Sequence, residues 1–225
     1  MLARLTIRLV LWLAFMAVLL FWPAGTFDWR SGWVFLGEMA IGAAAVSLWL
    51  LRHDPELLRE RLGSPIQKKQ VFWDKVLMAI VLVAFYGWMV LMGLDAKRWG
   101  WSHVPLWLNG TGAILIAACF FIAWLTFREN PFAVRVVKTQ TERKQTIIVT
   151  GPYRFVRHPM YAGALLYFIG LPLLLGSWLG LACLPVLVWV LMLRILIEEL
   201  TLRKQFPEYS AYASRVRARL VPFIW

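Results

Sequence analysis

Acid is scarce in this chain. Twelve Asp and Glu stand against 24 Lys and Arg in 225 residues, giving a formal charge of +12, and charged residues of both signs make up only 16%. A soluble domain of this length carries nearer about a quarter of its residues as charge, so water is excluded as the main solvent. Histidine and cysteine are also rare, with three and two copies. That poverty excludes a disulfide framework and offers no zinc- or iron-type ligand cluster, so no metal is expected. Cys119 and Cys183 both lie in apolar runs, where a thiol packs as a small hydrophobe. The excess of basic residues is scattered between apolar runs and forms no arm or basic domain, which argues against nucleic acid as a partner.

What is abundant is apolar surface, at 61% of residues. Runs from Leu5 to Trp22, Trp33 to Leu51, Val76 to Leu94 and Val104 to Phe127 are each long enough to span a bilayer as a helix. The first follows Arg4 and Arg8 as a signal peptide would, but Phe21-Trp22-Pro23 is a poor cleavage site, so a retained helix is expected. The block from Pro159 to Ile197 is too long for one span and is broken by Gly176-Ser177, which predicts two helices in a tight hairpin. Pro172 and Pro185 are expected to kink these two helices and open space between them. The fold class predicted is all-α, a polytopic bundle of about six transmembrane helices with a C-terminal hairpin and an amphipathic tail. No internal repeat relates its two halves.

Basic residues set the orientation, because short loops rich in Lys and Arg stay in the cytoplasm. Arg30, Lys97 and Arg98 fall on one side of the six-span arrangement, and the other 21 of 24 fall on the opposite side. Both termini are therefore expected in the cytoplasm. Trp22, Trp29, Trp33, Trp99, Trp101, Trp107 and Trp178 would then form a belt at the outer interface.

The segment Gly151-Pro152-Tyr153-Arg154-Phe155-Val156-Arg157-His158-Pro159-Met160-Tyr161-Ala162-Gly163 ends a basic loop and begins an apolar helix. Pro159 suits the first turn, with His158 near the N-cap. The helix start would attract an anionic group, and Tyr153 and Tyr161 offer flat surfaces to a nucleobase. The alternative is that these residues mark the headgroup interface. Farther on, Arg194 and Glu198 stand four apart at the end of the sixth span and share one helix face. Charge at membrane depth is costly and usually faces a cavity or a partner; an ordinary i,i+4 ion pair is the competing explanation, in its weaker order. Last, Leu202, Phe206, Tyr209, Tyr212, Val216 and Pro222, with Arg203, Lys204 and Arg215 among them, predict an amphipathic helix. It would lie on the membrane surface or close a pocket with Arg215 pointing inward.

Taken in order, Gly-Pro-Tyr, Arg-His-Pro-Met-Tyr-Ala-Gly, an apolar hairpin, Arg194-x-x-x-Glu198-Glu199-x-x-Leu202 and the tail resemble the isoprenylcysteine carboxyl methyltransferase family, whose core bacterial, archaeal and phospholipid N-methylating relatives share. The resemblance covers roughly residues 130–225. It implies a four-helix segment, 1–127, followed by a catalytic core, 128–225, in a multi-pass protein of a bacterial inner membrane. It also implies S-adenosyl-L-methionine as cofactor, entering from the cytosol, and a lipophilic or lipidated substrate arriving from the membrane lipids. By position, Gln145, Thr146, Ile147 and Ile148 would form a strand-like edge beside the adenosine, followed by Tyr153. His158, Pro159, Met160 and Tyr161 would contact the cofactor, and Glu198 would hold its cationic end. Arg194 would touch the substrate group, with Arg215 a further substrate contact, and Glu199 would complete the acid pair as the candidate base. Eukaryotic members carry His where this chain has Gln145. Carboxylate O-methylation is the leading expectation, with amine N-methylation, a sterol-reductase-like enzyme and a small transporter as the other readings.

Overall fold

The structure, a computed structural model, describes residues 2–63, 72–134 and 146–225, and every regular element among them is helical. The apolar runs become α1 (Leu2–Ala24), α2 (Arg30–His53), α4 (Phe72–Gly93) and α5 (Leu106–Glu129). A short helix, α3 (Pro55–Arg61), follows α2 directly. Asp54 caps it, its carboxylate accepting from the Leu57 N–H at 2.9 Å, with Pro55 in the first turn. The C-terminal block gives α6 (Pro159–Leu175), α7 (Trp178–Ala182), α8 (Leu184–Gln205) and α9 (Tyr209–Arg215). Five helices among the described residues are long and apolar enough to cross a membrane, and α6, at 17 residues, is shorter.

The hairpin forms where expected, but with an extra turn. Gly176 adopts φ +82°, and its N–H and that of Ser177 both return to the Pro172 carbonyl at 2.9 Å, closing α6. Ser177 then caps the one-turn α7, which the two-helix expectation omitted. Pro185 is consequently not inside a helix. It stands in the first turn of α8, where a missing N–H breaks no helical bond, so of the two predicted kinks only Pro172 lies in a helix interior. The amphipathic tail helix is likewise interrupted: α8 runs on to Gln205, α9 follows, and residues 216–225 are not helical.

At one end of the bundle, α4 finishes in a π-helical turn, Leu94–Arg98, that rolls Asp95 inward. Its Oδ2 accepts from the hydroxyls of Ser102 at 2.6 Å and Ser177 at 2.5 Å, tying α4 to the hairpin. Six of the seven belt tryptophans are exposed at that end, as expected. Trp29 is the exception, buried against Phe21.

Between the helices, Met16, Leu20, Phe35, Met39, Met89, Ile116 and Leu171 form the main core. Lipid tails are as apolar as leucine, so close packing and not desolvation holds such helices together. The tightest seam joins α5 to α6. A Cβ on Gly112 would stand 2.5 Å from the Gly170 carbonyl oxygen, and one on Gly170 2.7 Å from that of Gly112. Gly112→Ala is therefore expected to lower the melting temperature in detergent, with an overpacking cost of about 1–3 kcal/mol. Gly110→Ala, where a Cβ meets nothing within 4 Å, is the matched control and should not.

The opposite end of the bundle gathers the basic segments. An Arg8 N–H donates to the Leu62 carbonyl at 2.7 Å, and an Arg61 N–H to that of Ala133 at 2.7 Å, with the Arg61 guanidinium 4.1 Å over the Phe127 ring. Leu57 and Leu58 of α3 pack beneath with Leu50, Phe127 and Ala133. The N-terminal half thus braces the loop that leaves α5, and segments 1–127 and 128–225 meet at this end.

Candidate active site

A cleft opens at the basic end, with about 900 Å³ of empty space counting its solvent-facing mouth. One wall is the end of α8, where Arg194, Glu198, Thr201, Leu202 and Gln205 recur at helical spacing on one face. The facing wall is the start of α6. His158 is the N-cap residue and Pro159 holds the first position, but the His158 side chain makes no capping bond. It turns instead between two acids, with Nδ1 4.0 Å from Glu198 Oε1 and Nε2 3.3 Å from Glu199 Oε1. The Tyr161 hydroxyl donates to Glu198 Oε2 at 2.7 Å. The two segments singled out from sequence therefore converge on one cavity.

The remaining lining comes from three loops. Gly151, at φ +55°, starts the Gly-Pro-Tyr turn, and its lack of a side chain lets it lie against Glu129 at the end of α5. Thr150 donates to that same Glu129 at 2.9 Å, and Asn130 donates to the Tyr153 hydroxyl at 2.6 Å, so the turn is fixed to α5. Tyr153, Ile147 and Ile148 line the cleft, as do Tyr209 and Tyr212 of α9. Burial pushes the Tyr212 phenol up to about 12 and raises that of Tyr153 as well, so both stay neutral; the Tyr212 hydroxyl donates to the Tyr153 carbonyl at 2.8 Å.

Several expected residues stand elsewhere. Thr146 is exposed and outside the lining, residues 146–149 form no strand, and Gln145 falls outside the described residues. Arg215 is exposed and belongs to a separate groove with Arg154, Phe155 and Trp225, so it does not point inward. Glu199 lies on the neighbouring face of α8 and is absent from the lining. It is buried behind the cleft, accepting from Arg157 Nε at 2.7 Å and Arg219 Nε at 3.2 Å. A helix advances 100° per residue, so Glu199 points away from the face that carries Arg194 and Glu198.

Three residues were missed. Arg157 stands within the segment singled out from sequence but carries no site role there, yet it is 6% exposed and also donates to the carbonyls of Ala213, Val216 and Arg217. Its signal was present in the Arg-His-Pro run. Asp74 is fully buried at the first turn of α4 and accepts from Arg194 Nε at 3.0 Å. An acid at the threshold of an apolar run was the clue. Tyr209 is buried, lines the cleft, and its hydroxyl has no hydrogen-bond partner among the described residues.

Residues 107–209 match the family described as phospholipid methyltransferase. Among curated proteins, the probable protein-S-isoprenylcysteine O-methyltransferase of Oryza sativa is 35% identical over 130 residues, 57% of this chain and 64% of that protein. Protein-S-isoprenylcysteine O-methyltransferase A of Arabidopsis thaliana is 28% identical over 149 residues, 65% and 72% of the two chains. The Saccharomyces cerevisiae protein-S-isoprenylcysteine O-methyltransferase is 36% identical over 91 residues, 40% and 38%. The chain is thus similar to phospholipid methyltransferases over residues 107–209 and to these protein-S-isoprenylcysteine O-methyltransferases over part of their length. It spans 64% of the length of the rice relative. The family match includes α5 to α8 and reaches Tyr209, so it takes in both walls of the cleft. No grouping of three or more His, Cys, Asp or Glu suited to a metal occurs among the described residues.

Proposed function

We propose that the chain is an integral membrane methyltransferase that uses S-adenosyl-L-methionine to methylate a lipophilic carboxylate of isoprenylcysteine type. The observation that carries this reading is the convergence of Glu198, His158, Tyr161 and Arg194 on one cleft within the family match. The cleft suits the cofactor. Its apolar and aromatic loops offer a bed for the adenine, and Glu198 offers a carboxylate to the cationic methionine end. Bound there, S-adenosyl-L-methionine supplies a methyl group on a sulfonium, an electrophile that needs no metal.

The work left to the protein is positioning. Arg194 meets the acceptor carboxylate and turns one oxygen toward the methyl group, in the planar, two-point manner that suits a guanidinium. Once the bound ligands displace water from the cleft, a negative acceptor and a positive donor attract strongly before their charges cancel. A carboxylate has no proton to lose. An amine acceptor would need a base, and Glu199, the acid that would serve, is engaged by Arg157 and Arg219 behind the cleft. This favours oxygen over nitrogen. The names of the relatives leave the reductase and transporter readings without support. The basic end of the bundle is assigned to the cytosol, with both termini there, by the distribution of Lys and Arg.

The decisive experiment supplies labelled S-adenosyl-L-methionine to the purified chain with farnesylcysteine and total lipid extract as competing acceptors. The expected product is a base-labile methyl ester on farnesylcysteine. Label found only on lipid amines would overturn the acceptor class, and no transfer to any acceptor would overturn the enzymatic reading.

A further inference from the structure

Asp74 takes no part in the chemistry described above, yet it is a fully buried carboxylate on α4, a helix outside the family match. Its Oδ1 receives the Nε–H of Arg194 at 3.0 Å. A carboxylate removed from water is costly unless paired, and apolar residues in place of both Asp74 and Arg194 would join α4 to α8 as well or better. Stability alone therefore gives no reason for the pair.

Two features of the cleft do. A guanidinium is a rigid plane of five donors, so holding it at Nε fixes both the plane and the direction in which its remaining edge projects. Arg194 lines the cleft, and its guanidinium carbon lies 5.8 Å from the centre of the Tyr161 ring, so its orientation there is set from two sides. The second feature is charge. Arg157 and Arg194 both line a cavity that has to admit a cationic cofactor, and each is matched by its own acid, Glu199 and Asp74. Glu198 is then the carboxylate that faces the cleft.

We infer that Asp74 is a positioning residue: from the third long helix it aims Arg194 at the acceptor. The inference rests on reading Arg194 as the group that meets the acceptor's carboxylate. It gives the N-terminal half a share in acceptor recognition while cofactor binding stays with the C-terminal half.

The test compares the full chain in lipid nanodiscs with its Asp74→Asn and Asp74→Glu variants. S-adenosylhomocysteine affinity is read by calorimetry, and kcat and KM are measured separately for farnesylcysteine and for S-adenosyl-L-methionine. Asp74→Asn is expected to reduce kcat/KM for farnesylcysteine about 10- to 100-fold, the scale of a misaimed positioning group, with S-adenosylhomocysteine affinity little changed. Asp74→Glu, which keeps the charge, should recover part of the loss. Wild-type acceptor kinetics in Asp74→Asn would overturn the proposal, and so would a parallel loss of cofactor affinity and turnover, the mark of a merely structural role. If Asp74→Asn does not fold, Asp74→Glu decides: altered acceptor kinetics with intact cofactor binding supports positioning, and wild-type kinetics refutes it. A wild-type chain that binds S-adenosylhomocysteine but methylates no carboxylate would instead indict the function proposed above.

Discussion

Glu198→Ala is expected to abolish much of the thermal stabilisation that S-adenosyl-L-methionine gives the purified chain. The carboxylate faces the cleft, accepts from Tyr161 at 2.7 Å and lies 4.0 Å from His158. A hydrogen bond to a charged group contributes about 1.5–3 kcal/mol, so its removal weakens cofactor binding by roughly 10- to 100-fold. Ligand present at about 100 times its Kd stabilises a fold by about 2.7 kcal/mol, and a drop of that size in affinity leaves only about 0.4–1.4 kcal/mol of it. Arg194→Ala should keep the cofactor-induced shift and lose turnover, because its role is assigned to the acceptor. A Glu198→Ala protein with an undiminished shift would show that the cofactor's cationic end binds elsewhere.

Glu199→Ala is expected to act in the opposite manner, harming the fold more than the affinity of what remains folded. Glu199 and Arg157 have side chains only 4% and 5% exposed, and Arg219 and His158 complete the cluster. Stripping one partner from a buried pair leaves an uncompensated charge at a cost of about 3–5 kcal/mol. Arg157 is also the clasp of the tail, since its N–H donates to Ala218 at 3.0 Å and that of His158 to Arg219 at 3.0 Å. Limited proteolysis of the Glu199→Ala protein should therefore cut first near Arg217, together with a lowered melting temperature in detergent. Pairing Glu199→Leu with Arg157→Met removes both charges and should recover part of the stability that Glu199→Leu alone loses. A Glu199→Ala protein as stable as wild type would mean that the cluster does not hold the tail.

The long helices were legible because a bilayer imposes a single requirement, about 20 apolar residues in succession, which composition reveals directly. His158, Tyr161, Arg194 and Glu198 were legible for a related reason: polar groups at the ends of apolar runs are few, so each invites an explanation. Glu199 was misplaced because adjacent residues on a helix face different ways, and a motif read as a pair conceals that. Arg157 turns inward and Arg215 does not, since which of several loop arginines turns inward depends on how residues 216–225 fold back. Pro185 moved from kink to first turn once the one-turn α7 took up the residues before it. Asp74 escaped notice because its importance appears only when α4 and α8, 120 residues apart at this contact, lie side by side.

The backbone-to-backbone approach of Gly112 and Gly170, continued by Gly163 against the Cys119 carbonyl, welds α5 and α6 into one two-rod unit. No alkyl chain can slip between those rods. A lipophilic acceptor of the kind proposed, coming from the surrounding lipid, is thereby denied passage between α5 and α6.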